Sequence, residues 1–534
     1  MTNRRNLIRC ILSLILFILY TESKKVQTAS ESGMTIANNE DESQINKKWQ
    51  QYLQDNHRQI QDENHNFQTK HQPQYVLQYK SDVRQRIIDR AVRPEEDRNY
   101  YGITQNNFNS FLEITRPIMQ FESPHIFFGY NVNSNANSLP LSGQAARKPW
   151  SASFFPVRNG VISVRYSPNS SNTIGELSNV GAYVNYYTLL QSIFKYNQPG
   201  EHNRMYNTNA FQSYVNSNYS PSEKYDLLLG DHSYSLTNYM KRHSQSFAVN
   251  GDVPTWFGIC HGVAPAAYYY TKPNRAVTVT AADGRTLIKF LPDDIKALAA
   301  QFWAGVNYRT RFMGGRCNFY RTQAGFNTDM NCKSLNPASV IITLGNWMGI
   351  DKKNLILDPN ADPEIWNESA YAYEMRYYNP LSNQFSSSAS NAKVAISQIR
   401  NSSDQFLRNL AANASPATTH LAGVFMRLTY AVNNQLNYDV VSYPDEFKTQ
   451  GVDAVVELDA YNNLVGGEWK TESYPNFMWR YDENFPIQGV SDHYVPYFNG
   501  NPNQSRSFTN YARNASNQGQ LIKAVVQYLI DASS

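Results

Sequence analysis

Apolar and polar positions in the second half of the chain follow the periods of both helices and strands. Ser220-Pro221-Ser222-Glu223 combines a capping serine, a first-turn proline and an acid three residues on, which predicts a helix start. Residues 276–290 alternate around Asp283-Gly284 and predict a hairpin. Residues 293–302 have helical spacing, with Gly305 as the stop. The short apolar runs at 340–344 and 355–357 predict strands. Runs at 455–458 and 464–469 bracket Asn462-Asn463 as a second hairpin, and 521–530 is an apolar C-terminal helix. Together these predict an α+β fold with antiparallel strands. A helix-competent run after Cys260, followed by several strands, is the order expected of a papain-like core.

The N-terminal part has a different pattern. Arg4, Arg5 and Arg9 precede the apolar run 10–20 and a polar exit, which predicts a signal peptide over 1–23. That run is too short to span a bilayer comfortably, and no later segment has the uninterrupted apolar length of a transmembrane helix, so no stable membrane insertion is expected. Residues 24–95 are rich in Gln, Asn, Lys, Asp and Glu, too polar to bury a core, and predict a disordered pro-segment or spacer. Residues 96–148 form a connecting region, in which the polar stretch 131–142 predicts a linker. The main domain is expected over 149–534.

Composition narrows the function. A net charge of +4 on 534 residues gives no basic patch for nucleic acid. No EF-hand spacing or His/Cys cluster is present, so neither metal nor cofactor is expected. Asn-x-Ser sequons at Asn169, Asn218, Asn367, Asn401, Asn413, Asn503 and Asn514 fit a secreted, extracellular glycoprotein.

Three cysteines follow the leader. In a secreted chain Cys317 and Cys332 can close a small loop, which leaves Cys260 as a free thiol. Pro265 is tolerated only in a first turn, so a helix should begin close after Cys260. The positive end of its dipole would favour thiolate. Cys260 reads either as a nucleophile or as a buried structural cysteine.

The residues around it resemble a known family. Pro254-Thr255-Trp256-Phe257-Gly258-Ile259-Cys260-His261-Gly262 looks like the active-site segment of the oomycete-type transglutaminase elicitors. Further blocks match in the same order: Pro149-Trp150 to Pro156 with Gly160-Val161, Ser220 to Tyr225, 276–284, 294–300, Gly314-Gly315-Arg316-Cys317, Asn336-Pro337, Ile365-Trp366-Asn367, Glu457-Leu458-Asp459 and Gly466 to Trp469. The resemblance covers about residues 149–480. It implies a papain-like cysteine acyltransferase that cross-links protein glutamine to lysine through a Cys thioester, so its partners would be protein substrates. Cys260 would be the nucleophile, and Trp256 and Trp366 would line the substrate site and exclude water. Asp358 would orient a base. Trp366 and Asn367 also read as a packed aromatic and a sequon, and Asp358 and Asp459 as turn residues.

The resemblance also implies a histidine base, but Ile341 stands at the position it predicts, on a strand facing the sulfur. His261, His420 or His493 could replace it. Without one, the chain is a weakened or inactive relative that binds a partner. A cysteine peptidase shares the acyl-thioester step and is the third possibility.

Overall fold

The computed structural model describes residues 127–128, 132–167, 209–247, 254–306, 308, 310–323, 326, 332, 335–471, 473–483, 498–502 and 506–534. Contacts along the chain divide it into Met1–Arg98 and Asn99–Ser534, and every described residue lies in the second unit. The expected signal peptide, the polar segment to 95, Asn169, Asn503 and His493 lie outside the described residues.

The α-helices of seven residues or more among the described residues are α1 (Asn209–Asn218), α2 (Pro221–Leu228), α3 (Ser235–Phe247), α4 (Cys260–Tyr269), α5 (Pro292–Gly305), α6 (Pro337–Thr343), α7 (Gln405–Asn413), α8 (Arg506–Ser516) and α9 (Lys523–Ser533). The strands are β1 (Ser142–Gln144), β2 (Val277–Thr280), β3 (Leu287–Phe290), β4 (Thr310–Gly314), β5 (Leu355–Asp358), β6 (Glu368–Tyr378), β7 (Phe385–Ser386), β8 (Val394–Ala395), β9 (His420–Ala431), β10 (Phe447–Leu458), β11 (Leu464–Trp469) and β12 (Phe477–Tyr481). The large sheet runs β11-β10-β9-β6-β5-β12-β4, and its pairings are antiparallel. The expected α+β mixture is present.

Local chemistry explains most boundaries. Ser220 accepts from the Glu223 N–H while Glu223 accepts from the Ser220 N–H at 2.8 Å, closing the capping box that opens α2. Asp283 accepts from Arg285 and Thr286 N–H, both at 2.8 Å, and Gly284 takes φ +70°, so β2 and β3 form the expected hairpin. Asp459 accepts from Tyr461 and Asn463 N–H at 2.8 Å, and is the turn residue between β10 and β11.

Two expectations fail. Residues 340–344 form no strand; they belong to α6 and the π-helical turn Leu344–Ile350 that continues it. Asn336 caps this helix by accepting from the Ala338 N–H at 2.9 Å, and Pro337 occupies its first turn. That start signal outweighs the β-branched run, because a short apolar run has no period of its own. The polar stretch 131–142 is no linker over its described residues. Leu464 N–H donates to Ser134 O at 2.9 Å, Ala136 and Leu139 are buried, and β1 pairs with β6. Its asparagines close local turns, so polar composition here marks hydrogen-bonded backbone.

The two faces of the sheet carry different neighbours. Ile356 pairs with Ser369 and with Trp479, and Ser369 Oγ donates to Ala264 O on α4 at 2.7 Å. Strand alternation therefore puts Ile356, Asp358, Ser369 and Trp479 on the α4 side. Leu355, Leu357, Ala370 and Met478 face the other way and share one apolar cluster with Val340 and Ile341 of α6.

Candidate active site

Cys260 is the first residue of α4, so its own N–H lies in the turn that has no intrahelical acceptor. The segment before it is clamped: Ile259 N–H donates to Phe154 O and Val157 N–H to Phe257 O, both at 2.8 Å. A Cβ on Gly258 would collide with the Phe154 carbonyl, so the clamp needs a glycine. Behind it, Gly262 lies against the Ala300 carbonyl and Ala304, which seats α4 directly on α5. Contrary to the expected first-turn place, Pro265 lies inside the helix and removes the bond to the His261 carbonyl, which instead accepts from Tyr308 OH at 3.5 Å.

The Cys260 thiol is 1% exposed. It donates to the Ile365 carbonyl at 3.7 Å and accepts from Asn367 Nδ2 at 3.4 Å. Asn367, 2% exposed, accepts at Oδ1 from the Trp479 indole at 2.8 Å. Burial pushes the thiol up to about 11; hydrogen bonds from the Asn367 side chain and backbone oppose this, and Glu368 and Asp358 add to it. The expected thiolate at the helix start is therefore not obtained: desolvation outweighs the donors.

Asp358 ends β5 on the same face. Its carboxylate accepts from Trp366 N–H at 3.4 Å and Asn476 Nδ2 at 3.1 Å, and burial holds its pKa well above the usual carboxylate range. Asn476 also accepts from Cys317 N–H at 2.9 Å, which ties Asp358 to the disulfide loop. Cys317 and Cys332 are bonded, and Cys260 is the free cysteine among the described residues. Glu368 accepts from Asn433 Nδ2 at 3.0 Å, and burial likewise pushes its pKa well above the usual carboxylate range.

Aromatic side chains surround the loop over the thiol. Trp366 meets Phe154 edge-on at 5.2 Å and donates to Glu364 at 3.2 Å. The Arg316 guanidinium lies over Trp256 at 5.6 Å and donates from Nε to Pro363 O at 3.0 Å. Cys260, Asp358, Trp256 and Trp366 are thus brought into one region.

The described imidazole candidates are not. Ile341 lies on α6, in the cluster on the opposite face of the sheet, and does not face the sulfur; the register assumed from a strand at 340–344 fails with that strand. His420 begins β9, whereas Tyr430, ten residues on, pairs beside Ala370 near the site. At about 3.3 Å per residue His420 is about 30 Å away along the strand. His261 lies near His243 on α3, which burial first and His261 second push down to about 4. Among the described residues no group of three or more His, Cys, Asp or Glu could hold a metal, and no helix is long and apolar enough to cross a membrane.

Sequence reasoning missed Asn367 as a partner of the thiol, reading it as a sequon, and missed Trp479 and Asn476. Asn367 carried one signal, its place directly after Trp366 in a block shared with the family. Trp479 sits in an apolar strand with nothing to mark its indole.

A family model for transglutaminase elicitors matches residues 118–499. Among solved structures, the GP42 transglutaminase from Phytophthora sojae is similar, with 16% identity, a TM-score of 0.45, and coverage of 76% of this chain and 97% of that one. No curated protein matches. With most of its length matched by the family model, the chain belongs to the transglutaminase elicitor family.

Proposed function

We propose that the protein is a secreted transglutaminase-type acyltransferase with a papain-like core and Cys260 as its nucleophile. The observation that carries this reading is the Asn367 amide aimed at a sulfur on the first turn of α4. Once deprotonated, Sγ attacks the side-chain carboxamide carbon of a glutamine. The oxyanion that forms takes hydrogen bonds from Cys260 N–H and Asn367 Nδ2. The C–N bond breaks and ammonia leaves with a proton from solvent. A lysine amine then attacks the thioester, the C–S bond breaks as the isopeptide bond forms, and the released sulfur takes up the proton the amine gives up. Trp256, Trp366 and Phe154 limit the water that would otherwise hydrolyse the thioester. Asp358 serves as a brace of the Asn360–Trp366 loop. The disulfide and the exposed sequons Asn401, Asn413 and Asn514 suit an oxidising secretory route. Buried Asn367, already hydrogen-bonded to the sulfur, is a site residue and not a glycan acceptor.

With hydroxide in place of an imidazole, rate follows the thiolate fraction. Incorporation of a fluorescent primary amine into a glutamine-bearing protein should be slow at pH 7 and rise about tenfold per pH unit toward 11. Cys260→Ala should abolish it. A flat profile near neutrality would contradict this reading, because it requires a base that titrates there. The burial of the sulfur favours a second reading, a non-catalytic relative that binds a partner through the cleft. Absence of both amine incorporation and glutamine deamidation at every pH, in folded protein that binds a partner, would establish it. Deamidation or peptide cleavage without incorporation would point to a hydrolase.

A further inference from the structure

We propose that Trp479 is a positioning residue that fixes which end of the Asn367 amide faces Cys260. The inference deepens the acyl-transfer reading and rests on it for its functional meaning, though not for its test.

An asparagine amide turned through half a circle exchanges a donor for an acceptor. With Oδ1 toward the sulfur, Asn367 would accept from the thiol and stabilise its protonated form. With Nδ2 toward the sulfur it donates, stabilising the thiolate. Burial alone selects neither. The indole N–H does, because it can only donate, so its partner on Asn367 must be Oδ1. Nδ2 is then left to the sulfur, as found at 3.4 Å.

Trp479 is itself held firmly. It is 4% exposed, lies on β12 between β5 and β4, pairs with Ile356 and Phe312, and stacks on Tyr308 with ring centroids 6.3 Å apart. The chain Trp479–Asn367–Cys260 therefore passes the rigidity of the sheet centre to a hydrogen bond at the sulfur. The other titratable groups acting on Cys260 are Asp358 and Glu368, from β5 and β6, and changing the indole leaves both in place.

The test follows alkylation of Cys260 by iodoacetamide against pH, read by mass spectrometry on its peptide in the full-length protein. Trp479→Phe keeps most of the ring and removes the N–H. Its alkylation midpoint should move to higher pH, with a rate about tenfold lower at fixed pH below it, the size expected for a hydrogen bond to a charged group. A merely structural role would change access and scale the rate at all pH values without moving the midpoint. Asn367→Leu should shift the midpoint similarly, and the double variant should add nothing further. If Trp479→Phe does not fold, benzothienylalanine at position 479, which replaces N–H by sulfur in the same shape, gives the same reading. An unmoved midpoint, or full additivity in the double variant, overturns the proposal. A shifted midpoint without any amine incorporation would uphold Trp479 and sink the acyl-transfer reading alone.

Discussion

At the residue scale, the centre of the account is the amide found where a base was expected. Asn367 can donate to the sulfur and to an oxyanion, but it cannot remove a proton, and the thiol stays protonated at neutral pH. Ile341, the residue that first appeared to replace a histidine, is 0% exposed on the other side of the sheet, among Leu355 and Leu357. Ile341→His should therefore leave amine incorporation unchanged. It should cost about 1–3 kcal/mol, because an imidazole there has no polar partner, seen as a lower melting temperature. Increased incorporation would refute the assignment of faces. The thiol and the disulfide were legible from cysteine count and spacing, since three cysteines in an oxidising route leave one over and Cys317 and Cys332 lie close together. Asn367 was legible as a sequon and as a member of a family block, but not as a partner of the thiol, because nothing local in a sequence says that an amide will be buried against a sulfur.

At the element scale, the chain could be read wherever a side chain acts on its own neighbours. The Ser220–Glu223 capping box and the Asp283-Gly284 turn are such cases, and both elements form where expected. The run 340–344 could not be read this way. Its β-branched residues suit a strand, but the Asn336 cap and Pro337 begin a helix and the surrounding apolar cluster accepts one. Helix α4 depends on a contact of the same long-range kind, Gly262 against the Ala300 carbonyl. Gly262→Ala should force α4 away from α5 and destabilise the protein by about 1–3 kcal/mol, as overpacking does. It should also slow Cys260 chemistry, since the thiol is two residues away. An unchanged melting temperature would mean that the helices do not meet this closely.

At the scale of the whole molecule, the site is assembled from segments far apart in the chain: Phe154, the start of α4, the end of β5, the start of β6, and β12. No spacing in the sequence encodes that assembly. Family resemblance located most of its blocks, but placing side chains on one face of the sheet required the strand register. The account stands on the claim that Cys260 forms an acyl-enzyme. The direct measurement is to incubate the protein with a glutamine peptide at pH 10, without an amine, quench with acid, and weigh the Cys260 peptide. A mass increase equal to the peptide less ammonia, removable by hydroxylamine and absent in Cys260→Ala, is the predicted result. A folded protein whose Cys260 peptide never carries that adduct would contradict it.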